Sequence, residues 1–328
     1  MNRFIYSARH HLIKIIEDGI LPIENITDAL NVLHIAPDKK KWLSFIDNLL
    51  LWLGGLAIAF SVLFFVAYNW NEMGRFAKFG MVEVLIVLAV AAYWKLGVDS
   101  VAGKVSLLMA TIFLGVLLAL YGQTYQTGAD PWQLFFNWAL LMLPWAFIGR
   151  FPAIWIVWIL LINITIVMYN QIFRDFFWIL FGNNMGMYWQ VFIFNTLALS
   201  VWEILEMKWQ WLSERWAIRL IALASGVSIT WLVLNTILSS TSDSIVSTPV
   251  WLVWLAGLYF IYRKIKPDLF MLAGGCLTGI VVVTIFISKT LLEDNDNAAS
   301  FLFLTLLVVG MGTGAAMWLK KIHKEMPL

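Results

Sequence analysis

Ten apolar segments, each between 16 and 23 residues long, follow one another from residue 48 to residue 319. They are 48–69, 76–96, 104–122, 131–149, 151–169, 188–205, 216–238, 247–262, 269–288 and 299–319. A helix rises about 1.5 Å per residue, so roughly 20 residues cross the ~30 Å hydrocarbon core of a bilayer. The eighth segment is the weakest, its uninterrupted run reaching only from Pro249 to Tyr262. The expected fold is all-α: a polytopic transmembrane helix bundle of about ten spans, residues 48–328, with a small N-terminal helical hairpin and basic linker, residues 1–47. The composition agrees. The chain is 61% hydrophobic and 13% charged, about half the ~25% charge of a soluble protein, which leaves too little polar material to cover a water-facing surface. The lipid bilayer is the partner this composition demands.

Loop charge tests the span count. With the N-terminus inside, 18 of the 22 Lys and Arg fall on the cytoplasmic side. Only Arg75, Lys78, Arg174 and Lys289 fall outside, a strong positive-inside bias. Residues 172–182, IFRDFFWILFG, are too short to cross and read as a surface helix. Counting them as a span would flip nine later basic residues outward and erase the bias. Both termini are therefore expected in the cytoplasm. Many of the 19 tryptophans, Trp42, Trp70, Trp94, Trp132, Trp216 and Trp318 among them, fall near span ends as an aromatic belt.

In the head, Ile5, Leu12, Ile13 and Ile16 mark one amphipathic helix, stopped by Gly19. After Pro22, a second follows through Ile23, Ile26, Leu30 and Leu33 at helical spacing. Their apolar faces can bury each other, while APDKKK anchors at anionic headgroups. Alternatively, residues 1–35 form a docking surface for a membrane or cytoplasmic protein partner.

Several function classes lack their residues. A net charge of +2 offers no bulk field for nucleic acid. The single cysteine, Cys276, forms neither an intrachain disulfide nor a thiolate metal site. His10, His11, His34 and His323 all lie outside the spans and outside HExxH spacing. No Walker A, GxSxG or dinucleotide fingerprint occurs, so no catalytic residue, metal site or cofactor is assigned. The N-terminus has no apolar core followed by small residues, and no cleaved signal is expected.

The most unusual stretch joins the third and fourth spans, YGQTYQTGADPWQLFFN, residues 121–137. Tyr121, Gln123, Thr124, Tyr125, Gln126, Thr127 and Asp130 crowd hydrogen-bonding groups at a membrane boundary, where they must meet solvent or line a polar cavity. Asp130 also reads as an N-cap, with Pro131 at N1 and Gln133 at N3. Glu83 is the one acid well inside a span, where an ionised group costs about 2.5–3.5 kcal/mol on the insertion scale. It is expected to face the bundle interior and to share a partly hydrated site with residues 121–130. Lys78 is off its face and near enough to the surface to snorkel. Asn137, Asn163, Asn195 and Asn235 read as helix–helix glue. Gly275 and Gly279, with Gly310 and Gly314, give GxxxG on spans nine and ten and predict close packing of that pair. Pro144 is expected to kink the fourth span.

The run YGQTYQTGADPW, together with EDGILPIENITDAL in the head, resembles a family of bacterial predicted membrane proteins, the domain-of-unknown-function 2157 proteins. The likeness covers roughly residues 1–170. It implies a bacterial inner-membrane protein and brings no activity with it.

Three functions fit. The first is transport or conduction of a small polar solute or ion, with Glu83 and residues 123–127 lining the route. The second is a non-catalytic scaffold subunit that docks partners through its head. The third, a membrane enzyme, needs clustered acids or histidines at one interface. The outer loops offer only scattered Glu72, Asp130, Asp175, Asp243, Glu293, Asp294 and Asp296.

Overall fold

The computed structural model describes residues 39–68, 74–172, 185–239, 246–292 and 298–325, with residues 12, 15–16, 19–25 and 29 of the head. Among them are ten long helices and no strand. They are α1 Lys39–Tyr68, α2 Arg75–Leu96, α3 Val101–Tyr125, α4 Pro131–Gly149, α5 Pro152–Ile172, α6 Gly186–Glu206, α7 Arg215–Leu238, α8 Ser247–Phe260, α9 Leu269–Leu292 and α10 Ala298–Glu325. Each coincides with one predicted span.

Eight are long and apolar enough to cross a membrane. The other two have visible reasons for falling short. Gln190, Asn195, Glu203 and Glu206 dilute α6. Helix α8 has only 14 residues, but a π-helical turn, Ile261–Ile265, carries it onward, closed by a bond from Lys266 N–H to the Ile261 carbonyl at 2.8 Å. Helix α1 begins at Lys39, nine residues before the expected start, so Lys39–Lys41 belong to the helix and not to a linker. Helix α4 runs unbroken through Pro144. Most of the predicted head hairpin and nearly all of segment 172–182 lie outside the described residues. Gly19 does stop a helical turn as expected. Its φ is +69°, its N–H donates to the Ile16 carbonyl, and Ile20 N–H donates to that of Ile15, the paired bonds of a Schellman cap.

Successive helices run antiparallel, as contacts at both ends attest. At one end, Tyr93 donates to the Ile148 carbonyl and Arg263 pairs with Glu325. At the other, Phe79 meets Tyr125, Trp132 meets Tyr169, and Tyr188 meets Trp231. The first is called the basic end, because it gathers Lys39–Lys41, Arg150, Arg215, Arg263 and Lys320.

Helices α3 and α7 are the most buried, one at the centre of each half of the bundle. Phe113, Leu107 and Ala110 of α3 pack with α1, α2 and α4, whereas Ile218, Ile221, Ile229 and Leu232 of α7 pack with α6, α8 and α9. Helix α5 joins the halves, Leu161 facing the first and Ile159 the second. Lipid tails are as apolar as leucine, so close approach must hold such helices together, and small residues permit it. A Cβ on Gly55 of α1 would sit 2.2 Å from Val105 of α3. One on Gly115 of α3 would sit 2.5 Å from the Trp138 ring of α4. That ring lies in the glycine's notch and donates its N–H to the Thr111 carbonyl at 2.8 Å.

The predicted GxxxG seam is overturned. Helices α9 and α10 are neighbours, but a Cβ on Gly279, Gly310 or Gly314 would meet nothing within 4 Å. Helix α10 turns inward a stripe that includes Leu304, Leu307, Met311, Leu319 and Ile322, which leaves Gly310 and Gly314 exposed. Gly275 is buried, but against Leu255 and Leu258 of α8.

Gly115→Ala should therefore lower the thermal unfolding midpoint in detergent, with a cost in the ~1–3 kcal/mol range of overpacking. Gly314→Ala should leave it unchanged. Equal midpoints for the two variants would refute the notch.

Candidate functional site

Glu83 lies on α2, whose buried stripe is Lys78, Val82, Ala89 and Tyr93. One residue beyond Val82, a rotation of about 100°, carries Glu83 to the exposed face. It lines a shallow cavity of about 340 Å³ with Gly80, Val84, Val87 and Leu88, all from α2 itself. The expected inward orientation is thus corrected. Lys78, expected to snorkel, is instead buried.

The stretch at 121–130 is more regular than a re-entrant loop. Helix α3 continues through Tyr121, Gln123, Thr124 and Tyr125. It ends at Gln126, which takes a left-handed conformation (φ +44°) with its N–H on the Gly122 carbonyl. Gly128, at φ +64°, completes the turn. Tyr121, Gln123, Tyr125, Gln126 and Thr127 are exposed. Thr124 and Asp130 are half-buried, and the buried hydroxyl of Thr124 makes no hydrogen bond among the described residues. Asp130 occupies the N-cap position before Pro131, but its carboxylate makes no capping hydrogen bond. Phe79 touches Tyr125, whose ring also lies 4.9 Å from that of Tyr121. Glu83 is one turn deeper and rotated away, so its cavity and this segment share no lining residue.

The densest polar constellation was not anticipated. At the basic end, Arg215 of α7 reaches Glu203 at 3.2 Å, Glu206 at 3.4 Å and Asp268 at 3.2 Å. Arg219, one turn on, holds both oxygens of Asp268 through Nη2. Lys266 donates to Glu203, to Glu206 at 2.9 Å and to the Glu203 carbonyl at 2.7 Å. Tyr262, in the π-turn, donates to Glu203 at 2.8 Å. Asp268 is almost fully buried and caps α9 by accepting the Phe270 N–H at 3.0 Å. Three cations face three carboxylates, and α6, α7, the π-turn and the start of α9 are tied together. Burial would lower the Lys266 pKa, but the carboxylates of Glu203 and Glu206 outweigh it and hold the ammonium above its ordinary value. Every carboxylate here is matched by a cation. Among the described residues no group of three His, Cys, Asp or Glu is placed to hold a metal. The arrangement works as a clamp.

Deeper in the bundle, amides fasten α5 to α6. Asn163 and Asn195 exchange hydrogen bonds at 3.2 and 2.7 Å, and Asn170 and Gln190 at 3.0 and 3.3 Å. Thr196 and Ser225 then join α6 to α7 at 2.7 Å. This is the glue expected of Asn163 and Asn195. Asn235 instead bonds within its own helix, to the Trp231 carbonyl.

Asp268→Ala should cost about 3–5 kcal/mol, the penalty of leaving buried partners uncompensated, read as a lowered midpoint in detergent unfolding. A loss below about 1 kcal/mol, the worth of an exposed pair, would refute the clamp. Because the Lys266 pKa is raised, its stabilisation is complete below the ordinary value of 10.5 and is lost as pH climbs through the higher folded value. Wild type should therefore show an alkaline loss that Lys266→Met lacks.

No curated protein and no solved structure matches the chain. The clamp, at residues 203–268, lies beyond the part of the chain that a family model recognises. Residues 16–155, which contain α1 to α4, Glu83 and the whole 121–130 segment, match the model of a family described as predicted membrane protein, DUF2157.

Proposed function

We propose that this protein is a scaffold subunit of a bacterial inner membrane, and that it associates laterally through the Glu83 face of α2. The observation that carries this reading is the exposed carboxyl. Counted from Arg75, Glu83 lies about 12 Å along a membrane-spanning helix, on a face that nothing in the chain's described residues covers. An ionisable group there costs about 2.5–3.5 kcal/mol against lipid. A neighbouring helix that supplies a hydrogen-bond donor or a cation removes that cost. Gly80, where a Cβ would meet nothing within 4 Å, lets such a helix come close beside the carboxyl.

Transport drew its support from a hydrated pocket shared by Glu83 and residues 123–127. The Glu83 cavity is lined by α2 alone, which removes that support. The surface favoured for docking is now the α2 face inside the membrane, in place of the head. The 18-to-4 distribution of basic residues supports both termini in the cytoplasm.

A photocrosslinking residue at Val87 should capture a protein in native membranes, whereas one at buried Val82 should not. Glu83→Gln, which keeps hydrogen bonding, should preserve the adduct, and Glu83→Leu should reduce it several-fold. Capture of lipid alone at Val87, or an adduct indifferent to Glu83→Leu, would overturn the proposal. For orientation, Ser239→Cys should react with an impermeant maleimide on intact cells and Ser213→Cys should not. The reverse pattern would invert the topology.

A further inference from the structure

Helices α7 and α9 part around α8 and leave a lateral cavity of about 270 Å³, floored by Trp254 and Leu258. Its walls are apolar. The two threonines on it, Thr230 and Thr278, donate their hydroxyls to carbonyls of their own helices, Gly226 at 2.7 Å and Gly275 at 2.9 Å. Both hydroxyl protons are thus taken, and a polar solute would lose most of its hydration on these walls without compensation. An alkyl chain loses nothing. The groove opens sideways, since the rim residues Leu223, Val227 and Leu277 are exposed. From Ala222 to Leu234 it follows α7 for about 18 Å.

At its basic end the groove meets a cation. Arg219 precedes Leu223 by one turn on the same face of α7, and its side chain is 40% exposed. Its guanidinium lies 5.2 Å from the ring of Phe270, itself a lining residue. Nε and Nη2 hold Asp268, whereas Nη1 makes no hydrogen bond among the described residues. One edge of the guanidinium is therefore fixed by a buried carboxylate, which leaves Nη1 to meet a ligand beside Phe270. An apolar helix laid in the groove would leave that donor unmet. An amphiphile with a phosphodiester above a hydrocarbon chain satisfies both parts, because a phosphate oxygen accepts from Nη1 in a charge-assisted bond while the chain fills the groove.

We propose that the α7–α9 groove is a built phospholipid site, which holds an acyl chain between the helices and the lipid phosphate on Arg219. Native mass spectrometry of the full chain in detergent tests it, with palmitoyl-oleoyl-phosphatidylglycerol as the probe. Wild type should retain and titrate one tightly held lipid. Gly274→Leu projects into open groove, since a Cβ there meets nothing within 4 Å, and it leaves Arg219 and Asp268 untouched. It should weaken binding about tenfold or more, and Arg219→Gln should act similarly through the lost charged bond. Excess inorganic phosphate should not displace the lipid. Wild-type affinity in Gly274→Leu, displacement by phosphate alone, or capture of a protein by a photocrosslinker at Val227 would each overturn the assignment.

Discussion

Hydrocarbon gives an apolar helix no reason to leave lipid for protein, and this constraint governs the rest of the molecule. Several contacts that hold the bundle together are accordingly of a kind lipid cannot supply. Gly55 and Gly115 admit side chains of neighbouring helices to contact with a backbone. Asn163 with Asn195, and Thr196 with Ser225, exchange hydrogen bonds that tails cannot offer. At the membrane boundary, where dielectric screening rises, full charges take over in the Arg215–Asp268 clamp. Cohesion changes its chemistry with depth.

The same constraint explains what the sequence revealed. Span positions were legible because length and apolarity are properties of contiguous residues. Gly19 was legible as a helix stop, and Pro131 as a helix start, because caps are local. Facing was not. A membrane helix is apolar nearly all round, so periodicity gives little sign of which side turns inward. The cost of a charge at depth therefore argued Glu83 inward, and spacing argued Gly310 and Gly314 toward α9, yet all three face out. The clamp escaped notice for a different reason. Glu203 and Lys266 are 63 positions apart, and counting basic residues for orientation disregards the acids that meet them. The available signal was Glu203 and Glu206 at helical spacing, with Asp268 standing at an N-cap before an apolar run.

The two halves divide the work. The first, largely the part that matches the family model, carries Glu83 and the exposed α3–α4 connection on its outer surfaces. The second carries the clamp and the cavity between α7 and α9. Helix α5 packs against both cores, so the amides along it fix the second half to the first.

The clamp also sets an order of assembly. Arg215 meets Glu203 across 12 residues, soon after α6 and the start of α7 have been made. Lys266 lies 63 residues beyond Glu203, which at ~5–20 residues per second arrives about 3 to 13 s later. Through that interval two carboxylates and two arginines stand balanced at the boundary, and Lys266 then brings one cation in excess. Asp268 restores balance only when the turn before α9 emerges. Helix α6, too polar to count among the eight strongest spans, thus gains its full anchorage after its own synthesis, from a part of the chain that the ribosome reaches last but two helices.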